Sequence, residues 1–205
     1  MGAALLYKQL FIYLIPFNFL IGEYNVGLQY RYTDDWAVDV NFGYVADIEG
    51  SFTSNVYEEI LKSGTFYYSG PFIKASLLSV IPRGPNPLRT DYNQVEIGYK
   101  LLSYEHLDFE DESDPGKLFN LSERMQAVNL SWKAGYNIIP RSNFEMNGFL
   151  GFGMQIRFKN THVNSFGYYY NSDLFIVNDQ IRSTQVVPLF HAGIKIGLKA
   201  LEKKE

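Results

Sequence analysis

Residues 23–45 read EYNVGLQYRYTDDWAVDVNFGYV. On either side of Thr33-Asp34-Asp35 the residues fall into two interleaved rows. Val26, Leu28, Tyr30 and Tyr32 alternate with Asn25, Gly27, Gln29 and Arg31; then Trp36, Val38, Val40, Phe42 and Tyr44 alternate with Ala37, Asp39, Asn41 and Gly43. A period of two means an extended strand with one apolar and one polar face. Thr-Asp-Asp is a short turn of residues that bond their own backbone, so the stretch is a β-hairpin. What it leaves open is which row points into the protein.

The same alternation recurs along the chain. Strands are expected at about 6–15, 22–32, 36–46, 71–81, 92–105, 122–138, 143–158 and 186–199. In the fifth, Val95, Ile97, Tyr99 and Leu101 oppose Gln94, Glu96, Gly98 and Lys100. In the sixth, Val128, Leu130, Trp132, Ala134, Tyr136 and Ile138 oppose Asn129, Ser131, Lys133, Gly135 and Asn137. The seventh sets Phe144, Met146, Leu150, Phe152, Met154, Ile156 and Phe158 against a polar row that also holds Phe149. Prolines in PRGPNPLRTD (82–91) exclude a central strand there. The stretches 47–70, 106–120 and 159–185 lack the alternation and are expected to be long loops, all on one end of the array. Residues 1–205 thus form a single all-β domain, an eight-stranded antiparallel up-and-down β-barrel.

Composition narrows the function classes. The chain has 205 residues, a formal charge of −4 and 17% aromatic residues, with 16 Tyr and 16 Phe. No basic stripe is present, so nucleic acid is not an expected partner. The absence of cysteine removes disulfides, thiolate chemistry and sulfur-ligated metals. Residues 10–22, LFIYLIPFNFLIG, are too short for a spanning helix, which needs about 20 residues. Pro16 and Asn18 interrupt them and no small-residue cleavage site follows, so they read as a structural segment rather than a signal peptide.

Three features turn the apolar row outward, toward lipid. The polar row is rich in Gly, Asn, Gln and Ser with charges of both signs, a composition that can fill a hydrogen-bonded interior. Tyr32, Trp36, Tyr44 and Tyr136 stand near strand ends, where rings with a polar edge favour a water–lipid boundary. The sixth and seventh strands exceed the usual 5–6 residues. An even number of strands closes a cylinder without exposed edges. On this reading the fold is a transmembrane barrel. Arg31, Asp39, Glu96, Lys100, Lys133, Glu145, Arg157, Lys195 and Lys199 point inward, and together with Phe149 they leave a plugged interior.

IPFNFLIGEYNVGLQYRYTDDWAVDVNFGY (15–44) resembles the N-terminal strands of small Bacteroidetes-type outer-membrane β-barrel proteins of the OmpA/OmpW-like superfamily. NFEMNGFLGFGMQIRF (143–158) and VVPLFHAGIKIGLKA (186–200) resemble a later strand and the closing strand of that group. The resemblance implies an envelope location, the bacterial outer membrane; with the outward apolar row, the reading is a monomer with a structural or surface-interaction role and outer-membrane lipids or detergent as partners. The long loops would be extracellular, with a ligand or protein as a further partner. No catalytic residue, cofactor or metal ligand comes with it.

The same residues bear on other chemistry. His191, on the polar row, could be oriented by Glu96 or Glu145 as in a hydrolase triad, but no serine signature accompanies it and an interior hydrogen-bonding histidine is the simpler reading. His106 and His162 have no spacing that requires a metal. DFEDESD (108–114) carries clustered carboxylates without the calcium-loop spacing and reads as a solvated acidic loop. GFGMQIRF lies within a strand, which excludes a dinucleotide loop. KSGTFYYSGPF and FGYYYNSD are candidate aromatic recognition segments. The alternatives to the structural role are a narrow channel or lipid-handling barrel, a soluble eight-stranded carrier of an apolar ligand, and a membrane lipid hydrolase.

Overall fold

A computed structural model describes residues 7–16, 22–33, 35–49, 67–82, 90–110, 118–140, 143–168 and 174–204. The eight strands are β1 (Tyr7–Leu14), β2 (Glu23–Arg31), β3 (Trp36–Glu49), β4 (Tyr67–Pro82), β5 (Thr90–Glu110), β6 (Leu118–Pro140), β7 (Phe144–Tyr168) and β8 (Leu174–Lys204). Each pairs antiparallel with its sequence neighbours, and β8 returns to β1, so the sheet closes into a ring. The hairpin of the opening stretch is in register from Glu23↔Val45 to Arg31↔Ala37.

The ring is sheared. A circuit from Arg31 through β3 to β7 meets β8 at His191, while the direct step through Gln9 of β1 meets it at Glu202. Such a stagger is what tilted strands need in order to close.

The polar row faces in. Asn25, Gln29, Asp39, Asn41, Gln94, Glu96, Asn129, Ser131 and Lys133 are buried, whereas Leu28, Val40, Phe42, Val95, Ile97 and Leu130 are exposed. Two apolar layers sit within the ring on either side of this polar middle. One gathers Val45, Tyr68, Phe72, Leu102, Tyr104 and Met125 toward the β3–β4 connection. The other gathers Tyr13, Ile15, Ala37, Leu78, Tyr92 and Phe149.

Inner aromatics are seated over inner glycines. A Cβ on Gly27 would meet the Tyr13 ring at 2.0 Å, and one on Gly135 would meet the Tyr92 ring at 2.2 Å. Gly27→Ala is therefore expected to displace Tyr13 and cost about 1–3 kcal/mol, the range for overpacking a filled core. Equilibrium urea unfolding checks it, and an unperturbed midpoint would mean that the ring does not rest on Gly27.

The expected fold, an eight-stranded antiparallel up-and-down transmembrane barrel with long loops at one end, is corrected in two respects. First, much of the loop sequence is strand. β5 continues to Glu110 and β6 begins at Leu118; β7 continues to Tyr168 and β8 begins at Leu174. The alternation fades there because the outer row turns polar, at Gln126, Asn160 and Thr184, while the ladder continues through Gln126↔Phe158↔Thr184. Of the 47–70 stretch, 47–49 and 67–70 are strand and 50–66 lie outside the described residues. Second, what the structure supports is an eight-stranded antiparallel sheet with ring closure; the transmembrane expectation, drawn from the composition of the polar row, the strand-end aromatics and the strand lengths, goes beyond that. No helix among the described residues is long and apolar enough to cross a membrane, an observation that bears on helices alone.

Candidate functional site: a charged interior behind an apolar wall

Every inward carboxylate described in the ring has a cationic partner. Lys195 Nζ donates to Asp39 Oδ2 and to Gln29 Oε1, both at 2.6 Å, and lies 3.7 Å from the centre of the Tyr13 ring, whose hydroxyl donates to Asp39 Oδ1. Lys133 Nζ donates to Glu96 Oε2 at 2.7 Å. Glu23 accepts from Lys74 at 3.2 Å and from Lys100. Glu123 pairs with Lys159 at 3.3 Å and accepts from Thr161 at 2.8 Å and from the Tyr68 hydroxyl. Arg31 and Glu145 approach to 3.6 Å. Asp39–Lys195, Glu23–Lys74, Glu23–Lys100 and Arg31–Glu145 join strands that are not neighbours, so they fix the cross-section of the ring as well as its charge; Glu96–Lys133 and Glu123–Lys159 tie adjacent strands.

Burial by itself pushes the Glu23 carboxyl up, but the ammonium groups of Lys74 and Lys100 outweigh it and hold the group at about 2. Burial lowers Lys100, which Glu23 only partly offsets. A depressed carboxyl stabilises the fold fully above its unfolded value near 4.5 and loses that contribution as pH falls through about 2. Glu23→Gln should therefore flatten the acid limb of a stability-versus-pH profile between those values. An acid limb identical to the wild type would show that Glu23 is not the titrating group.

The sequence placed Arg31, Asp39, Glu96, Lys100, Lys133, Glu145 and Lys195 on the inward row but assigned none of them a partner. It omitted Glu23, Lys74, Glu123 and Lys159. Lys74 sits between outward Ile73 and Ala75, so the alternation itself would have found it had β4 been divided into rows. Glu123 and Lys159 lie where the outer row is already polar, and contrast between the rows is weak. Arg157 is inward and donates from Nε to Gln155 Oε1.

His191 differs from the expectation of a hydrogen-bonded interior residue: its Nε2 is buried with no partner among the described groups. Burial, reinforced by Lys133, lowers it to about 4, so it is neutral at pH 7. Glu96 bonds Lys133 and Gln94 instead of orienting it. His162 Nε2 lies 3.4 Å from Asn160 Nδ2. His106 is in β5, but its side chain lies outside the described set, and 111–114 of the acidic stretch lie outside the described residues altogether. Among the described residues, no three His, Asp or Glu side chains group as a metal site.

The outer wall is the other half of the site. Large apolar residues are exposed on all eight strands, among them Ile12, Leu28, Phe42, Ile73, Ile97 and Leu130, and then Phe152 and Phe190 on β7 and β8. Phe190 is 88% exposed and Leu150 69%. Small residues interrupt the wall at Ala134, Gly148 and Ala192, leaving a hollow of about 890 Å³ beside Tyr136, Ile138 and Leu150.

No family model, no curated protein and no solved structure matches this chain. The resemblance to Bacteroidetes-type outer-membrane barrels is accordingly corrected. Its motifs were glycines and alternating aromatics, and some of these answer local needs of this ring, as Gly27 does beneath Tyr13 and Gly193 beneath Phe149. The outer-membrane localisation, the structural or surface-interaction role, and the outer-membrane and extracellular partners, which rested on that resemblance together with the strand pattern, are corrected with it.

Proposed function

We propose that the protein is a lipid-handling β-ring that binds acyl chains on its outer wall, its charged interior serving as the scaffold that keeps the wall in shape. The observation that carries this reading is the division of the two faces: exposed apolar side chains on every strand, and ion pairs across the middle. Contiguous exposed apolar patches beyond a few hundred Å² mark an interaction surface. This one encircles the ring. A folded partner covers one side of a cylinder, whereas flexible chains cover all of it. An apolar ligand held inside is opposed by the charges: it would have to displace Lys133–Glu96 and Lys195–Asp39, and stripping a buried charge of its partner costs several kcal/mol.

The two tryptophans report on the wall directly. Trp36 on β3 and Trp132 on β6 both face outward, 41% and 39% exposed. In alkyl-chain amphiphiles brominated along the chain, both should be quenched relative to the unbrominated amphiphile, and an aqueous bromide salt should then quench poorly. Full emission in the brominated amphiphile, or a monodisperse protein with no amphiphile present, would remove the proposal.

A further inference from the structure

The ring closes over only part of β8. β1 stops at Leu14, opposite Ile196, and Pro16 follows within two residues. β7 accompanies β8 all the way from Phe144↔Leu198 to Tyr168↔Leu174. Among the described residues, 174–195 of β8 therefore have a strand on one side only. Such an edge presents a row of backbone donors and acceptors to any chain that can match it.

The register says which groups those are. Lys199 N–H donates to Asn143 O at 3.0 Å, toward β7, and no bulge interrupts the β7–β8 ladder. Odd-numbered residues of β8 thus point N–H and C=O at β7, and even-numbered residues point theirs away. Pro188, even-numbered, sits where the missing N–H would have faced the open side, the place a strand tolerates proline. Above Pro188, the N–H and C=O of Val186, Thr184 and Arg182 face the open side. The outward side chains there are Gln180, Arg182, Thr184 and Val186, all exposed, so that the row is polar above Val186; Ile181, Ser183, Gln185 and Val187 on the inner row are half-buried.

We infer that this edge, over about residues 180–187, receives an extended segment of another polypeptide by strand addition. Backbone pairing supplies the binding. The outward Arg182 favours an acidic side chain opposite it, and the inner row, with Ile181 and Val187, favours apolar residues at alternate positions. Pro188 and the closure with β1 set the lower limit of the site. The inference rests on register and is independent of what covers the outer wall.

The test uses the full chain and a fluorescein-labelled decapeptide of alternating Glu and Val, with a block peptide of the same composition as the comparison. Saturable binding of the alternating peptide is expected. The double variant Thr184→Pro/Val186→Pro removes two open-side donors and no β7 bond, so it should weaken binding at least about tenfold, as loss of two backbone hydrogen bonds implies. Its thermal unfolding should stay near that of the wild type, and Thr184→Ala should bind normally. Ser183→Pro, whose N–H faces β7, should instead disturb the fold. No saturable binding, equal binding of the block peptide, or undiminished binding by the folded double variant would overturn the inference. So would a concentration-dependent dimer that the double variant dissolves, which would assign the edge to a second copy of this chain.

Discussion

Asp39→Ala is expected to destabilise the ring by about 3–5 kcal/mol, the range for removing one member of a buried ion pair. Asp39 is buried and serves two groups from other strands, the Lys195 ammonium and the Tyr13 hydroxyl. Its removal leaves the ammonium with Gln29 Oε1 and the face of Tyr13, both neutral. It also leaves the Tyr13 hydroxyl without its acceptor, over a Gly27 that gives it no room to move inward. The double variant Asp39→Ala/Lys195→Met should recover part of the loss, because the uncompensated charge, rather than the absent attraction, is the larger cost. Urea unfolding of the single and double variants in one amphiphile measures both. A single-variant loss under about 1 kcal/mol, as for exposed pairs, would mean that water reaches Lys195 and that the interior is open there.

The strands and the sides of their residues were legible because one face differs sharply from the other. Val95 and Ile97 against Gln94 and Glu96 leaves one assignment of rows, and a slip of a single residue would exchange every side chain. Where the contrast fades, legibility fades with it. Asn160 stands outward between Arg124 and Arg182, and Thr184 and Gln126 are the polar outward neighbours of Phe158, so the upper halves of β7 and β8 lose the apolar period although their backbone ladder is unbroken. Ion-pair partners were illegible for a different reason. Lys133 meets Glu96 across one strand boundary, but Lys195 meets Asp39 across the width of the ring, and that distance is set by shear, which no single strand encodes. Family membership was the weakest inference of all. Glycines at 27, 135 and 193 relieve inner rings from Tyr13, Tyr92 and Phe149, a steric need of this ring that does not require a common ancestor.

Leu150→Lys should separate a wall covered by acyl chains from one facing water. Leu150 is outward on β7, paired with Ala134 and Ala192, neither of which offers a counter-charge or a long side chain to shield an ammonium. With acyl chains against it, the lysine must be desolvated or must stretch toward a polar boundary, at about 2–4 kcal/mol for a deep position on a lipid-covered strand. With water against it, an exposed Leu→Lys change falls within about 0.5 kcal/mol. Thr184→Lys is the internal control: it is outward and exposed on β8, at the upper end of the apolar belt opposite Phe158, where a lysine can reach past the belt, and should be near neutral in either case. Folding free energies measured in phospholipid vesicles should therefore show a large loss for Leu150→Lys and almost none for Thr184→Lys. Equal, small effects at both positions would place water against Leu150 and would end the lipid-handling reading. They would leave the ion-paired interior, which depends on the opposite face, untouched.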